Sequence, residues 1–285
     1  MRTCAETDRG LQVAIALLLT VGLIMVASSS IAVGERIGAP LLFLQKQLVF
    51  CLVALAVALL ILQIPLALWS RFSALLLLLA LLFLGLLLVP GVGREVNGSV
   101  RWLSVAGINW QPSEVLKLVM IIYLAGYVER HGSRLRAGIQ GLPAPLLVLA
   151  AAGVLLLLQP DFGALVLVSA IAFGLLFLAG APLLPFIVLC GLGLGGGWLL
   201  IVESPYRLDR LTMFRDPWAD PFDSGFQLTQ SLIAIGRGEW WGVGLGGSVQ
   251  KLSYLPEPHT DFVFAVLAEE LGLVGVVLLV VLYTY

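Results

Sequence analysis

The chain has 285 residues, 60% of them hydrophobic and 12% charged, with a formal net charge of −1 and a mean hydropathy of +1.05. The surface of a soluble domain needs far more charge than this, so an ordinary globular protein is excluded. A charge near zero with no basic cluster gives no footing for nucleic acid.

The first apolar run, residues 10–34, follows a short N-terminus carrying Arg2, Glu6, Asp8 and Arg9. Its Ala27-Ser28-Ser29 looks like a signal-peptidase site, but the run exceeds the about 7–15 apolar residues of a secretory signal. More spans follow, so it reads as a retained first span. The charge-free runs 47–70, 72–93 and 137–160 each exceed the about 20 residues that cross a bilayer. Residues 162–202 hold no charge for 41 residues, on the order of 60 Å of helix. That is two crossings, with Gly180-Ala181-Pro182 as the break. The predicted spans are 11–33, 46–64, 72–90, 113–129, 142–158, 162–179, 182–202 and 260–285. The fold class is all-α, a polytopic helical membrane protein whose residues 1–285 form one integral membrane domain. Cys4, Cys51 and Cys190 are isolated, fit no metal spacing and read as small packing residues.

With the N-terminus inside, inner loops hold Arg2, Arg9, Arg71, Arg130, Arg134 and Arg136, and outer segments hold Arg36, Lys46, Arg94 and Arg101. The inside marker is the cluster at 129–136. Two polar segments then share the outer face, 91–112 and the long extracytoplasmic loop 203–259. The second is too long for a plain connector and is expected to carry function on short interfacial helices, one of them 226–238. The chain stops at Tyr285 inside an apolar run, and the native protein is expected to extend further.

Several polar groups stand out against this background. Ser113 is a candidate helix cap, and Glu114 and Lys117 are three apart, on one face of the fourth span. They either neutralise each other in lipid or line a polar cavity for a charged headgroup. Asp161, between Pro160 and Gly163, is expected to cap the sixth span. Arg207, Arg210, Arg215 and Arg237 are candidates for a pyrophosphate, because guanidinium forks match phosphate oxygens, although each also reads as a solvated loop charge. Asp216, Asp220 and Asp223 either chelate a cation or shape turns. The glycines of GVGLGG (242–247) are expected to let backbone pass close to substrate or helix, and those of GLGLGGG (191–197) to pack helices.

The stretch 254–275 carries the most chemistry. Asp261 sits where a polar loop becomes an apolar helix, with Pro256 and Pro258 stiffening the approach and Thr260 as a candidate cap. Ala265, Ala268 and Gly272 lie below Asp261 on one face. Glu269 is about 80° and Glu270 about 180° around the helix from it, so they cannot share a cavity, and one is expected to pair with a neighbouring span. Ionised groups at membrane depth are functional candidates by default. An outer-border carboxylate under a long loop suits a base acting on a lipid-carried substrate. A transporter's coupling groups lie nearer the midplane.

The runs GREVNGSVRWLSVAGINWQPSEVLKL (93–118), QPDFG (159–163), DPWADPFDSGFQLTQSLIAIGRGEWWGVGLGGSVQKLSYLPE (216–257) and HTDFVFAVLAEELG (259–272) closely resemble the SEDS family of shape, elongation, division and sporulation proteins. The wording of the long loop is closer to the division member than to the elongation member. The resemblance covers nearly the whole chain. It implies a SEDS-type fold of ten spans, of which about eight are present, with activity expected of the completed protein. It implies a peptidoglycan glycosyltransferase in the bacterial cytoplasmic membrane, multi-pass and at the division septum, polymerising lipid II. The implied partners are lipid II, a class B penicillin-binding protein, other division proteins and membrane lipids. By its motifs the catalytic residue is Asp261, with Arg237, Glu114 and Lys117 at matching substrate-binding positions; His259, beside Asp261 in the HTDF run, and Arg210, one of the pyrophosphate candidates, complete the expected substrate-binding set. Partial burial of Asp261 would favour its role as a base. No organic cofactor is implied; a divalent cation, Mg2+ or Mn2+, is carried as an expectation without assigned ligands. The rival readings are a lipid II flippase and a non-catalytic scaffold for the divisome.

Overall fold

The computed structural model describes residues 9–96, 99–105, 108–252, 255 and 258–285. Arg2, Cys4, Glu6, Asp8 and Pro256 lie outside the described residues. In chain order the helices are α1 (Arg9–Arg36), α2 (Leu42–Leu62), α3 (Leu66–Leu86), α4 (Pro112–Ala137), α5 (Pro143–Leu158), α6 (Phe162–Leu178), α7 (Leu183–Val202), α8 (Pro205–Arg215), α9 (Phe226–Gly238) and α10 (Val263–Thr284). Between α3 and α4 lie three antiparallel strands, β1 (Gly93–Val96), β2 (Ser99–Val105) and β3 (Ile108–Trp110), in the order β1-β2-β3. Among the described residues five helices, α1, α2, α3, α7 and α10, are each long and apolar enough to cross a membrane. The apolar α5 and α6 are shorter, at 16 and 17 residues.

The chain divides into two units, Met1–Leu59 with Leu200–Tyr285, and Leu60–Leu199. In the second unit Leu77, Leu84, Leu116, Met120, Leu156 and Val168 form the core among α3 to α6. Its polar anchor is the turn between α5 and α6. Asp161 caps α6 by accepting from the Ala164 amide at 3.2 Å, as expected, and also accepts from Ser113 Oγ at 3.3 Å and Gln111 Nε2 at 3.4 Å. Ser113 therefore does not cap α4; it is the second residue of the helix, after the N-cap Gln111, and spends its hydroxyl on Asp161. The same turn is tied to β2 by Ser99 Oγ donating to the Gln159 carbonyl at 2.6 Å, and to α3 by Gln159 Nε2 donating to the Leu84 carbonyl at 2.6 Å.

α4 runs to Ala137, so the basic cluster 129–136 is helical rather than a loop. Arg130 donates to the Ser70 carbonyl at 2.8 Å and Ser70 Oγ to Glu129 at 2.7 Å, which holds those last turns against α3. α7 has no buried residue. A Cβ at Gly191, Gly195, Gly196 or Gly197 would meet nothing within 4 Å, whereas one at Gly193 would touch the Phe173 ring of α6 at 3.7 Å, so among the described residues the expected helix packing is made at Gly193 alone of these glycines.

In the first unit the core is Met25, Ala234, Leu255, Ala265, Val266 and Leu267. α10 is broken at Gly272, which adopts φ 65° and ψ −166°. The break frees backbone groups on both sides, and the glycine-rich segment after α9 takes them up. The Val243 amide donates to the Glu269 carbonyl at 2.9 Å and the Gly244 amide to the Glu270 carbonyl at 3.0 Å. In return the Leu273 amide donates to the Glu239 carbonyl at 2.9 Å and the Val274 amide to the Trp240 carbonyl at 3.2 Å. The glycines pass backbone against helix, as their density predicts. A Cβ at Gly238 would run into the Ala268 carbonyl, and one at Gly242 into the Glu270 carbonyl.

Between α8 and α9 the chain turns around Asp220, which accepts from Ser224 Oγ at 2.8 Å and from the Ser224 amide at 3.3 Å. The hydroxyl, then the amide, hold this exposed carboxyl below its usual range. A depressed folded value means the turn is favoured above the unfolded pKa of about 3.9 and loses that support as pH falls through the folded value.

Two outcomes follow from this packing. Gly238→Ala is expected to destabilise the first unit by about 1–3 kcal/mol through overpacking, read as a lower thermal midpoint in detergent. The Ser224 amide resonance in nanodiscs should be constant from pH 7 to about 5 and shift below about 4, a step that Asp220→Ala removes.

Candidate functional site

Asp261 lies in the turn that leads into α10, and its side chain is exposed. The partial burial that would favour a base is therefore not supplied by the described residues. The helix begins at Val263 with Phe262 before it, so Thr260 is not its cap. The approach to the turn is fixed by other means. Leu255 and Pro258 are buried, and the half-buried His259 ring lies 4.4 Å from the Phe43 ring of α2. Arg36, at the end of α1, donates to the Leu252 carbonyl.

Behind the turn stand two fully buried carboxylates, Glu269 and Glu270. Each meets its own cation. Glu270 Oε1 is 2.6 Å from Lys251 Nζ, and Ser28 Oγ of α1 is 2.8 Å from both Glu270 oxygens. This is the pairing with a neighbouring span that their angular separation predicts. Glu269 accepts from Ser248 Oγ at 2.5 Å and from the Val249 amide at 3.2 Å, and Arg237 Nη1 stands 3.8 Å from its Oε1. Lys251, buried and paired, was not singled out by sequence reasoning. An isolated lysine ten or so residues before the turn reads as a loop charge, and only the partner's burial marks it.

Arg237 occupies the last turn of α9, where a cation complements the helix dipole. Its side chain is 47% exposed, so the guanidinium can meet an anion while one edge faces Glu269. Arg210 is exposed on α8, whereas Arg207 donates to the Leu200 carbonyl at 2.8 Å. Alongside, α9 and α10 enclose an open apolar groove of about 520 Å³, walled by Ile235, Trp240, Phe264, Leu273 and Val276 with Glu239 at its edge.

Glu114 and Lys117 belong to the second unit. They pair with each other at 2.8 Å, with the Glu114 side chain 60% exposed and that of Lys117 23% exposed. Among the described residues no three His, Cys, Asp or Glu side chains gather as a metal cage. Asp220 accepts both Ser224 hydrogen bonds on Oδ2, in the turn-shaping role.

The arrangement in the first unit is thus an exposed carboxylate on a tethered turn, a half-exposed guanidinium, and two buried acids that hold the segments bearing them. The chain matches the profile of the FtsW/RodA/SpoVE cell cycle proteins over residues 9–285. It is 54% identical over 282 residues to a probable peptidoglycan glycosyltransferase FtsW of Halorhodospira halophila, covering 99% of this chain and 71% of that protein. To the protein of the same description from Alkalilimnicola ehrlichii it is 55% identical over 279 residues, covering 98% of this chain and 70% of the relative. Among solved structures it resembles a chain of a peptidoglycan synthase complex described as coordinating polymerization and crosslinking. That match has a TM-score of 0.72 and 30% identity, over 97% of this chain and 75% of that one. The rod shape determining protein RodA of Thermus thermophilus matches with a TM-score of 0.67 and 27% identity, over 99% of this chain and 73% of that one.

Proposed function

The chain belongs to the FtsW/RodA/SpoVE family of cell cycle proteins, and from that membership we infer that it is a peptidoglycan glycosyltransferase that polymerises lipid II into glycan strands. The observation that carries this reading is the 54% identity, along 99% of the chain, to a probable peptidoglycan glycosyltransferase FtsW. The chain is a multi-pass membrane protein. We place its work at the outer face of the cytoplasmic membrane, at the division septum, with a class B penicillin-binding protein as crosslinking partner.

In the proposed reaction a sugar hydroxyl of the acceptor attacks the anomeric carbon of the donor. The new glycosidic bond forms as the bond to the lipid pyrophosphate breaks. Asp261 takes the hydroxyl proton as general base, a contribution of typically ~10²–10⁴-fold. Its exposed position on the turn gives an incoming hydroxyl access. Arg237 stabilises the charge developing on the departing pyrophosphate. That leaving group is activated, so no second carboxylate is needed as general acid. His259, Arg210, Glu114 and Lys117 complete the proposed substrate-binding set. A divalent cation carried in with the substrate would add positive charge for the departing pyrophosphate beside Arg237.

The test is lipid II polymerisation by the full-length protein with its penicillin-binding partner. Asp261→Ala is expected to lower the rate by at least ~10²-fold with the complex still assembled. Arg237→Ala should lower it by roughly 10²-fold, as loss of one preorganised charge-stabilising group does. A glycan ladder that survives Asp261→Ala assigns the base to another residue. An assembled wild-type complex that makes no ladder favours the flippase or the scaffold. Chelation followed by Mg2+ or Mn2+ return decides the metal requirement.

A further inference from the structure

Glu269 and Glu270 are adjacent, fully buried and unused by the reaction as written. Taking carboxylates out of water is expensive, and apolar residues of similar volume stabilise a fold at least as well as a buried ion pair. What a buried carboxylate supplies and an apolar side chain cannot is direction. The two acids point to different places. Glu269 faces Arg237 across 3.8 Å, as the fixed negative charge beside a guanidinium that is 47% exposed. Glu270 faces Lys251, and Lys251 Nζ also donates to Ser28 Oγ at 2.9 Å. Lys251 precedes the Asp261 turn and Glu270 follows it, so their ion pair closes the segment 251–270 on itself and fastens it to α1. Within that closed segment the carboxylate of Asp261 is exposed, whereas Leu255 and Pro258 are buried.

We propose that Glu269 and Glu270 are positioning residues of the glycosyl transfer. Glu269 orients Arg237 toward the leaving pyrophosphate. Glu270, through Lys251 and Ser28, fixes the turn that presents Asp261. The assignment rests on the polymerase reading above.

The experiment measures kcat and KM for lipid II polymerisation by the full-length protein in complex with its partner, together with the thermal midpoint. Glu269→Gln keeps the shape and the carbonyl acceptor but removes the charge facing Arg237. Its kcat is expected to fall about tenfold with KM within about twofold, as for a contact made only in the transition state. Glu270→Gln combined with Lys251→Met replaces the ion pair by a neutral pair and strands no charge. Assembly and thermal midpoint are expected to hold, while kcat falls about 10²-fold, the scale of a catalytic group displaced by about an ångström.

Wild-type kcat in Glu269→Gln overturns the role of Glu269. Wild-type kcat in the neutral pair shows that Glu270 and Lys251 only neutralise each other, and overturns theirs. If the neutral pair does not assemble, Ser28→Ala decides instead. A kcat reduced severalfold at an unchanged midpoint supports positioning, and wild-type kcat overturns it. Asp261→Ala, run alongside, separates the two levels. If it remains active, or wild type makes no glycan, the polymerase reading fails; if it is inactive while the positioning variants run at wild-type kcat, only the positioning fails.

Discussion

A helix that opens within a membrane must find partners for the backbone groups it releases, because hydrocarbon offers none. The first unit is organised around meeting that demand at Gly272. Carbonyls of Glu269 and Glu270 and amides of Leu273 and Val274 all exchange with the segment 239–244. This docking brings the end of α9, and with it Arg237, against the first half of α10. It also sets where Ser248 and Lys251 reach the two buried acids. The turn bearing Asp261 is therefore held from two sides by groups whose places follow from one break in one helix.

The same economy of polar groups appears in the second unit. The Asp161 carboxylate serves as helix cap and as acceptor for Ser113 and Gln111, and Arg101 stands 3.9 Å away. Arg101 also donates to the Pro160 carbonyl at 2.6 Å. One acid thus binds α6 to α4 and to the β-sheet. Among the described residues the buried carboxylates Asp161, Glu269 and Glu270 all serve as anchors. Asp261 and one edge of Arg237 stay exposed, as the proposed reaction requires of them.

Much of the helical plan was legible because lipid-facing spans are simply apolar for their whole length. The spans 142–158, 162–179 and 182–202 agree with α5, α6 and α7 to within a residue, and 226–238 coincides with α9. The second and third spans begin earlier than read, at Leu42 and Leu66, since a run without charges marks the membrane more sharply than it marks the helix. The small sheet was missed. Its signal was present in the Asn97-Gly98 and Ala106-Gly107 dipeptides between short apolar-polar alternations, a hairpin pattern overlooked in a chain read for helices. The place of Asp261 in the turn before α10 and the Glu114–Lys117 pair were legible from spacing and position. The caps assigned to Ser113 and Thr260 were not, because a hydroxyl near a helix start serves whichever acceptor or turn the fold brings to it. Lys251 was invisible for the complementary reason. Its importance lies in a partner that becomes its neighbour only when α10 and α1 pack.

The exchange between residues 239–244 and 269–274 also constrains how such a chain can change over time. Four hydrogen bonds run in fixed register between two segments far apart in sequence. A side chain there can be replaced without touching them, provided the glycines that admit close approach remain. Adding or deleting a single residue in either segment would shift every donor past its acceptor at once. The loop between α9 and α10 is accordingly free to vary in composition at its exposed positions but not in length beside the break.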